Sequence, residues 1–289
     1  DGIVADFYSD MKTIPTGGML NALLAAKVGD EQKGEDPTTN ELCDRAAKML
    51  GKEAAILLPT GTMCNEISLR VHCAPGDEVI CDRSCHIVNF EAGGPAALSG
   101  VMIHALDGEN GAFTAEQLRG AIRPSSRYAP ESRLIAVEQT TNLGGGGIWP
   151  LGQLREVAAV AKEHGLSTHM DGARLFNASV KSGVSVLAYS EHYDSVWIDL
   201  TKGLGSFAGA VLAGSEEFIN TAWKLKQQWG GGFRQSGYIA ATGLYALDHH
   251  IDRLAEDHAL ATSIGEALTP LRHVRRVLPV ETNIVIFEI

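Results

Sequence analysis

A lysine stands in this chain where packing gives it little to do. Lys202 follows the β-rich run Ser195–Leu200 and sits between Thr201 and Gly203. A buried lysine is costly unless it is paired or used covalently. An amine with a lowered pKa is what Schiff-base chemistry requires. About one βαβ unit (~30 residues) earlier, Asp171 closes the apolar strand Leu166–Met170. Gly172 follows and permits close approach, and Arg174 lies three residues on. Taken alone, Asp171 reads equally well as a helix cap beside a surface arginine. At that spacing, however, its side chain and that of Lys202 reach the same sheet edge.

Two further groups belong with these. Pro59-Thr60-Gly61-Thr62 joins a strand to a helix. The N–H groups of a helix start bind anions, and the Thr62 hydroxyl adds a donor, although the same string also makes an ordinary helix cap. Ser84-Cys85-His86 precedes a stretch with Glu91-Ala92-Gly93-Gly94. The imidazole of His86 can stack on a flat ring or simply cap a helix. Pyridoxal phosphate (PLP) asks for this whole set. Its aldehyde needs an amine, Lys202. Its ring nitrogen needs an acid, Asp171. Its phosphate needs the donors of Gly61, Thr62 and Thr201, and its ring face needs a contact, His86.

The elements that must position these groups follow from the pattern of the chain. From Glu53 onward short β-rich runs alternate with helical spacing. Strands are expected at Glu53–Pro59, Glu78–Cys81, Val101–Ala105, Arg133–Val137, Leu166–Met170, Ser195–Leu200 and Phe207–Ala213. Helices are expected at Thr62–Cys73, after His86, at Thr114–Ile122 and at Pro150–His164, with long helices over Phe218–Leu268. This order predicts an α/β fold with a mainly parallel sheet covered by helices, and ligands at the carboxyl ends of the strands. Residues 1–50 read as an N-terminal arm and helices, and 51–250 as the large cofactor-binding domain. Residues 251–289 read as the start of a smaller α+β domain that the chain does not finish.

Composition removes several function classes. The 289 residues carry a net charge of −11, the wrong sign for a nucleic-acid surface. No apolar run reaches the ~20 residues of a membrane helix. Asp1 to Asp10 carry acids and no apolar block, unlike a signal peptide. The five cysteines are odd in number and lie in the first third of the chain, so reduced thiols in a cytoplasmic protein are expected. Cys81, Cys85 and His86 fit no zinc spacing, and no metal is expected. Walker A, H-E-x-x-H, G-x-S-x-G and a complete dinucleotide fingerprint are missing. That disfavours an NAD enzyme.

With these residues in view, the chain resembles the L-threonine aldolase branch of the β-eliminating lyase family of fold-type I PLP enzymes. The matching stretches are Ser9-Asp10, Val28-Gly29-Asp30, Gly34–Thr38, Leu58–Met63, Glu91–Gly94, His169–Asn177, Lys202–Gly205 and Gly230–Gln235. The resemblance implies that Lys202 carries the cofactor, Asp171 pairs with its ring nitrogen and His86 stacks on it. It also puts Arg174 and Ser9 at the substrate carboxylate and Arg234 at the phosphate region of a neighbouring subunit. Relatives are homotetramers built from dimers that share active sites. The implied reaction cleaves L-threonine- or L-allo-threonine-like β-hydroxy-α-amino acids to glycine and an aldehyde. Another β-eliminating lyase or a transaldolase remains as the alternative. A scaffold without activity is disfavoured because the lysine and the acid are both present.

The chain also departs from the family pattern. Lys33 stands where the family has Tyr, Tyr128 where it has a second active-site histidine, and Thr140-Thr141-Asn142 where it has Thr-His-Asn. Gln227 replaces a common lysine, with Lys226 adjacent, and the arm reads Ser9–Thr16 as SDMKTIPT. The cofactor residues are intact while the pocket wall is altered. Tyr128 is the expected wall residue beside the substrate side chain.

Overall fold

The structure is a computed structural model that describes residues 6–289. The first five residues, part of the stretch read above for a signal peptide, lie outside the described residues.

One seven-stranded sheet organises the chain. Its strands are β1 (Ala54–Leu58), β2 (Glu78–Asp82), β3 (Met102–Leu106), β4 (Ser132–Glu138), β5 (Ser167–Gly172), β6 (Ser195–Asp199) and β7 (Ala210–Gly214). They lie in the order β1-β7-β6-β5-β4-β2-β3. The run β6-β5-β4-β2-β3 is parallel, whereas β7 is antiparallel to both β1 and β6. The strands β2, β6 and β7 are buried along their whole length. β7 accordingly reads as a continuous apolar run, and β2 and β6 as apolar centres between polar ends, as strands covered on both faces do.

Eleven α-helices are found among the described residues. They are α1 (Gly17–Leu24), α2 (Pro37–Leu50), α3 (Gly61–His72), α4 (His86–Asn89), α5 (Ala115–Ala121), α6 (Leu151–Glu163), α7 (Leu175–Ser182), α8 (Val186–Ser190), α9 (Glu216–Gln228), α10 (Gly237–His249) and α11 (Leu254–Leu268). Local chemistry fixes their ends. The Asp36 side chain accepts from Thr39 N to open α2, Pro37 takes the first helical position, and Gly51 closes it at φ 65°, as a left-handed cap requires. Thr114 and Gln117 form a reciprocal capping box on α5. Thr60 caps α3 by accepting from Met63 N.

The main core lies between the sheet and the helices and includes the Phe113–Trp149 edge-to-face pair, with centroids 4.9 Å apart. On the other face α3 and α9 pack together over β1 and β7. The helix α3 also touches β4, β5 and β6, so its first turns lie over the middle of the sheet.

The expected strand Phe207–Ala213 begins later, at Ala210, because Phe207 is turned out to solvent ahead of it. The β pattern from His273 yields only the two-residue strands β8 (Arg276–Val277) and β9 (Phe287–Glu288), paired antiparallel. The helices α7 and α8 had no counterpart in the sequence reading. The helix α11 packs on α7 and on the Lys202–Leu204 turn, so the C-terminal part touches the lysine segment directly.

Candidate active site

The carboxyl ends of three adjacent parallel strands meet at one place. The register pairs Glu138 of β4 with Asp171 of β5, and Asp171 with Trp197 of β6. Asp199 ends β6, and the turn Lys202–Leu204 follows. Lys202 adopts φ 50°, a left-handed conformation that costs a non-glycine residue of order 1 kcal/mol and collects at functional sites. The N-terminal arm closes over this turn, where Thr13 Oγ1 donates to Lys202 O at 2.6 Å.

Asn65, one turn into α3, ties the site together. The Trp197 indole can only donate, and it donates to Asn65 Oδ1 at 2.7 Å. The amide orientation is thereby fixed, and Asn65 Nδ2 donates to Asp171 Oδ2 at 2.9 Å and to Glu91 Oε1 at 2.7 Å. Asn65 Oδ1 also accepts from His169 Nε2 at 3.1 Å. His169 Nδ1 therefore accepts from Ser195 Oγ, which accepts in turn from His72 Nε2. Burial drives both imidazoles down, His169 to about 3 and His72 to about 4. They are neutral relays that hold Asn65.

Asp171 is 6 % exposed and takes a second donor, Ala173 N, at 3.0 Å. Burial raises its pKa above the ordinary value, and the Asn65 bond and the charges of His86 and Lys202 oppose that rise. Beside it, burial and the Asp171 charge push Glu138 up to about 7, against the N–H donors of Asn142 and His86. His86 sits at the start of α4, half-buried, with Nδ1 on Glu91 Oε1 at 2.8 Å and its ring 5.4 Å from that of Phe90. Burial alone would lower its pKa. The Glu91 bond and the charges of Asp171, Glu91 and Glu138 outweigh burial and raise it. Because Glu91 Oε1 only accepts, His86 Nδ1 carries the hydrogen and Nε2 is left for the pocket.

Lys202 Nζ is paired with Asp199 Oδ2 and lies 5.8 Å from the Trp197 ring centroid. Arg174 is buried and grips Asp10 with Nε at 2.6 Å and Nη2 at 2.9 Å. Burial opposes the charge on each, yet their mutual attraction prevails, so Asp10 is lowered and Arg174 raised. Asn283 Nδ2 adds a donor to Asp10 at 2.9 Å, so the arm and the C-terminal segment meet on this pair.

The structure thus joins Asp171 and His86 through Asn65 and Glu91, with Lys202 paired to Asp199 and Arg174 to Asp10, and Gly61 and Thr62 open α3. Gly61 has no room for a side chain: a Cβ there would fall 2.2 Å from the Trp197 ring. These parts fit PLP. There is an amine, an acid that receives only N–H donors, an imidazole with a free Nε2, and a helix start with unbonded N–H groups.

Three of the expected residues stand apart. Thr201 gives both its N–H and its hydroxyl to Asp199 Oδ1, at 2.8 and 2.6 Å, so neither donor is free for a phosphate. Arg234 is exposed and pairs with Asp30 at 3.5 Å. Tyr128 is 96 % exposed on the connection that enters β4 at Ser132, the sheet edge opposite Glu138. It forms no wall of this pocket within one chain. Ser9 is half-buried on the arm, with its hydroxyl on Met11 N at 3.2 Å.

The sequence reading assigned no role to Asn65, Glu66, Glu91, Glu138, His169 or Asp199. The one available signal was that Asn65 and Glu66 lie a turn beyond Gly61 on a helix that starts at the site.

Known proteins share much of this sequence and its fold. The family model described as beta-eliminating lyase matches residues 6–289. A low-specificity L-threonine aldolase 1 from Arabidopsis thaliana is 40 % identical over 288 residues, covering 98 % of this chain and 80 % of that protein. A low specificity L-threonine aldolase from Escherichia coli K12 is also 40 % identical, over 264 residues, 91 % of this chain and 78 % of that protein. The solved structure of a Leishmania major threonine aldolase superposes with a TM-score of 0.82 at 20 % identity, covering 96 % of this chain and 82 % of that one. That likeness shows the fold.

Proposed function

The chain belongs to the beta-eliminating lyase family, and from that premise we propose that it is a PLP-dependent aldehyde-lyase. Its reaction is the cleavage of L-threonine- or L-allo-threonine-like β-hydroxy-α-amino acids to glycine and an aldehyde. The observation that supports this most is the joining of Asp171 and His86 through Asn65 and Glu91, beside the strand-end Lys202. The relatives at 40 % identity over nearly the whole chain are named for threonine cleavage.

When bound, the cofactor supplies an electron sink for the carbon left as Cα–Cβ breaks. Lys202 is the residue that would hold it covalently, and Gly61 and Thr62 N–H would hold its phosphate. Asp171, fixed by Asn65 and Ala173, would keep a proton on its ring nitrogen. Arg174 keeps Nη1 outside its pair with Asp10, where a substrate carboxylate can be met beside Ser9. His86 Nε2 is free to take the proton of a β-hydroxyl, and its raised pKa suits a group that must give the proton back near neutral pH.

The chain would work as a homotetramer or homodimer with shared active sites. Phe7, Tyr8, Met11, Ile14, Leu20 and Leu24 are large, apolar and exposed along the arm and α1, next to the arm's contacts with Lys202 and Arg174. Such a run marks an interaction surface. In that assembly Arg234 and Tyr128 would serve a neighbouring subunit's pocket. The five cysteines are free thiols, which supports a reducing, cytoplasmic setting.

The test is product analysis of the PLP-loaded protein with L-threonine, L-allo-threonine and phenylserine. Glycine and the matching aldehyde in equal amounts are expected. A 2-oxo acid without glycine would replace this reading with β-elimination.

A further inference from the structure

Glu66 follows Asn65 on α3 and plays no part in the chemistry above. It is 2 % exposed. Neither of its carboxyl oxygens receives an N–H or O–H from the groups around it, and Glu91 Oε2 is in the same position. The two carboxyls lie within reach of each other, so a proton on one would join them. Gly94 closes the other side, where a Cβ would lie 2.0 Å from Glu66 Oε1. The cations of the site are taken elsewhere, Lys202 by Asp199 and Arg174 by Asp10.

A bond between two carboxyls requires a proton, and the donors nearby decide which one carries it. Glu91 Oε1 accepts from both Asn65 Nδ2 and His86 Nδ1, which favours an ionised Glu91. Glu66 accepts nothing, so an ionised Glu66 would be a buried charge with no partner.

We propose that Glu66 is a positioning residue of this site, a neutral carboxylic acid whose O–H donates to Glu91 and locks His86 with Nδ1 bonded and Nε2 facing the pocket. The chain of contacts is Glu66 to Glu91 to His86, with Asn65 bracing Glu91 from the same helix as Glu66. Burial, the Glu91 bond and the Glu91 charge push Glu66 up to about 9, in keeping with that role. The titratable groups around the pair are His86 on α4, Asp171 and His169 on β5, and Glu138 on β4. Asp171 and Glu138, together with Glu91 itself, act on His86 by charge, and only Glu91 acts on Glu66. Below about 9 Glu66 keeps its proton and can donate it to Glu91. As pH rises through that value Glu66 loses its proton, its bond to Glu91 is replaced by repulsion, and His86 loses its fixed direction.

The importance of His86 rests on the reading of it as the group facing cofactor and substrate, whereas the proton on Glu66 does not. The experiment separates the two. Infrared difference spectra of wild-type holoenzyme minus Glu66→Gln at neutral pH should contain the C=O stretch of a protonated carboxylic acid. Bands of an ionised carboxylate in its place would overturn the proposal whether or not the protein is an aldolase.

The His86 pKa, read as the pH dependence of diethylpyrocarbonate labelling resolved by peptide, should fall by roughly one unit or more in Glu91→Gln, which removes an adjacent charge. In Glu66→Gln, where an amide N–H replaces the acid O–H, it should stay within about 0.3 unit, well inside the effect of losing a charge. A fall in Glu66→Gln as large as in Glu91→Gln would show that Glu66 was ionised and refute the assignment. Glu66→Leu, which cannot donate, should lower kcat about tenfold or more with little change in KM, the range of a lost orienting contact. Glu66→Gln should restore most of that rate. Equal kcat in the Leu and Gln variants would remove the positioning role, and if the Leu variant does not fold, the spectra and labelling of Glu66→Gln still decide.

Discussion

Asp171→Asn isolates the charge at the ring-nitrogen position, and its consequences follow from the contacts of Asp171. Both carboxylate oxygens accept N–H donors, Oδ2 from Asn65 Nδ2 at 2.9 Å and Oδ1 from Ala173 N at 3.0 Å. An asparagine has one acceptor oxygen, so its amide nitrogen must face one of these donors. Asn65 cannot turn to meet it, because Trp197 Nε1 and His169 Nε2 both donate to its oxygen. One buried bond is therefore lost, at about 1–3 kcal/mol. Removing a buried charge whose pKa burial has raised offsets part of that cost, so the change in stability should be small. The rate should respond much more strongly. A neutral amide cannot keep a proton on the ring nitrogen, and the loss of one such stabiliser is worth about 3–4 kcal/mol, or 10²–10³ in kcat. The assay is aldehyde release coupled to a reductase, with cofactor content read by absorbance and stability by urea titration. Full cofactor loading with a kcat within about threefold of wild type would refute the assignment of Asp171.

Other expectations are briefer. Borohydride treatment of the PLP-loaded protein should leave the label on the peptide containing Lys202, and a label on any other lysine would remove that residue from its role. Asp10→Ala strands a buried Arg174 and should cost about 3–5 kcal/mol in urea titration, as the breaking of buried pairs does, together with a raised KM. The Asp10 pKa is lowered on folding, so the pair's contribution is present above the unfolded carboxylate value and is lost as pH falls through the lower folded one. Acid unfolding of Asp10→Ala should accordingly lack that segment of pH dependence, and a parallel curve would argue against the pair. Gly61→Ala places a methyl against the Trp197 ring and should weaken cofactor binding in equilibrium titration; unchanged affinity would show that the loop moves freely. Light scattering should find an oligomer, and an active monomer would overturn the shared-site reading.

The alternation of strands and helices was legible because buried strands and amphipathic helices write different periods into the chain. The antiparallel placement of β7 was not legible. A strand buried on both faces is an apolar run whichever way it runs, and Ala210–Gly214 carries no mark of direction. The residues at strand ends were legible for a related reason. Asp171 directly follows the run Leu166–Met170 and Lys202 stands two residues beyond the run Ser195–Leu200, placements that a sequence shows without coordinates. Glu66 and Asn65 look like the solvent face of a helix, and only the approach of Gly94, Glu91 and Trp197 turns them inward. For Tyr128 the alignment gives a place along the chain, and one chain's structure puts it on the connection into β4, 96 % exposed.

The site draws its order from one residue that can only donate. Trp197 Nε1 fixes which end of Asn65 is the oxygen, and that choice makes Asn65 Nδ2 the donor to both Asp171 and Glu91. Asp171 and Glu91 must then accept, which favours the charged form of each, and a charged Glu91 fixes the tautomer of His86. The acid expected at the ring nitrogen and the imidazole expected at the β-hydroxyl therefore have their protonation states set by the same amide. A change at Asn65 cannot be confined to one of them. Asn65→Asp would put a second carboxylate against Asp171 and Glu91, take away the N–H both of them accept, and disturb the ring-nitrogen position and His86 together.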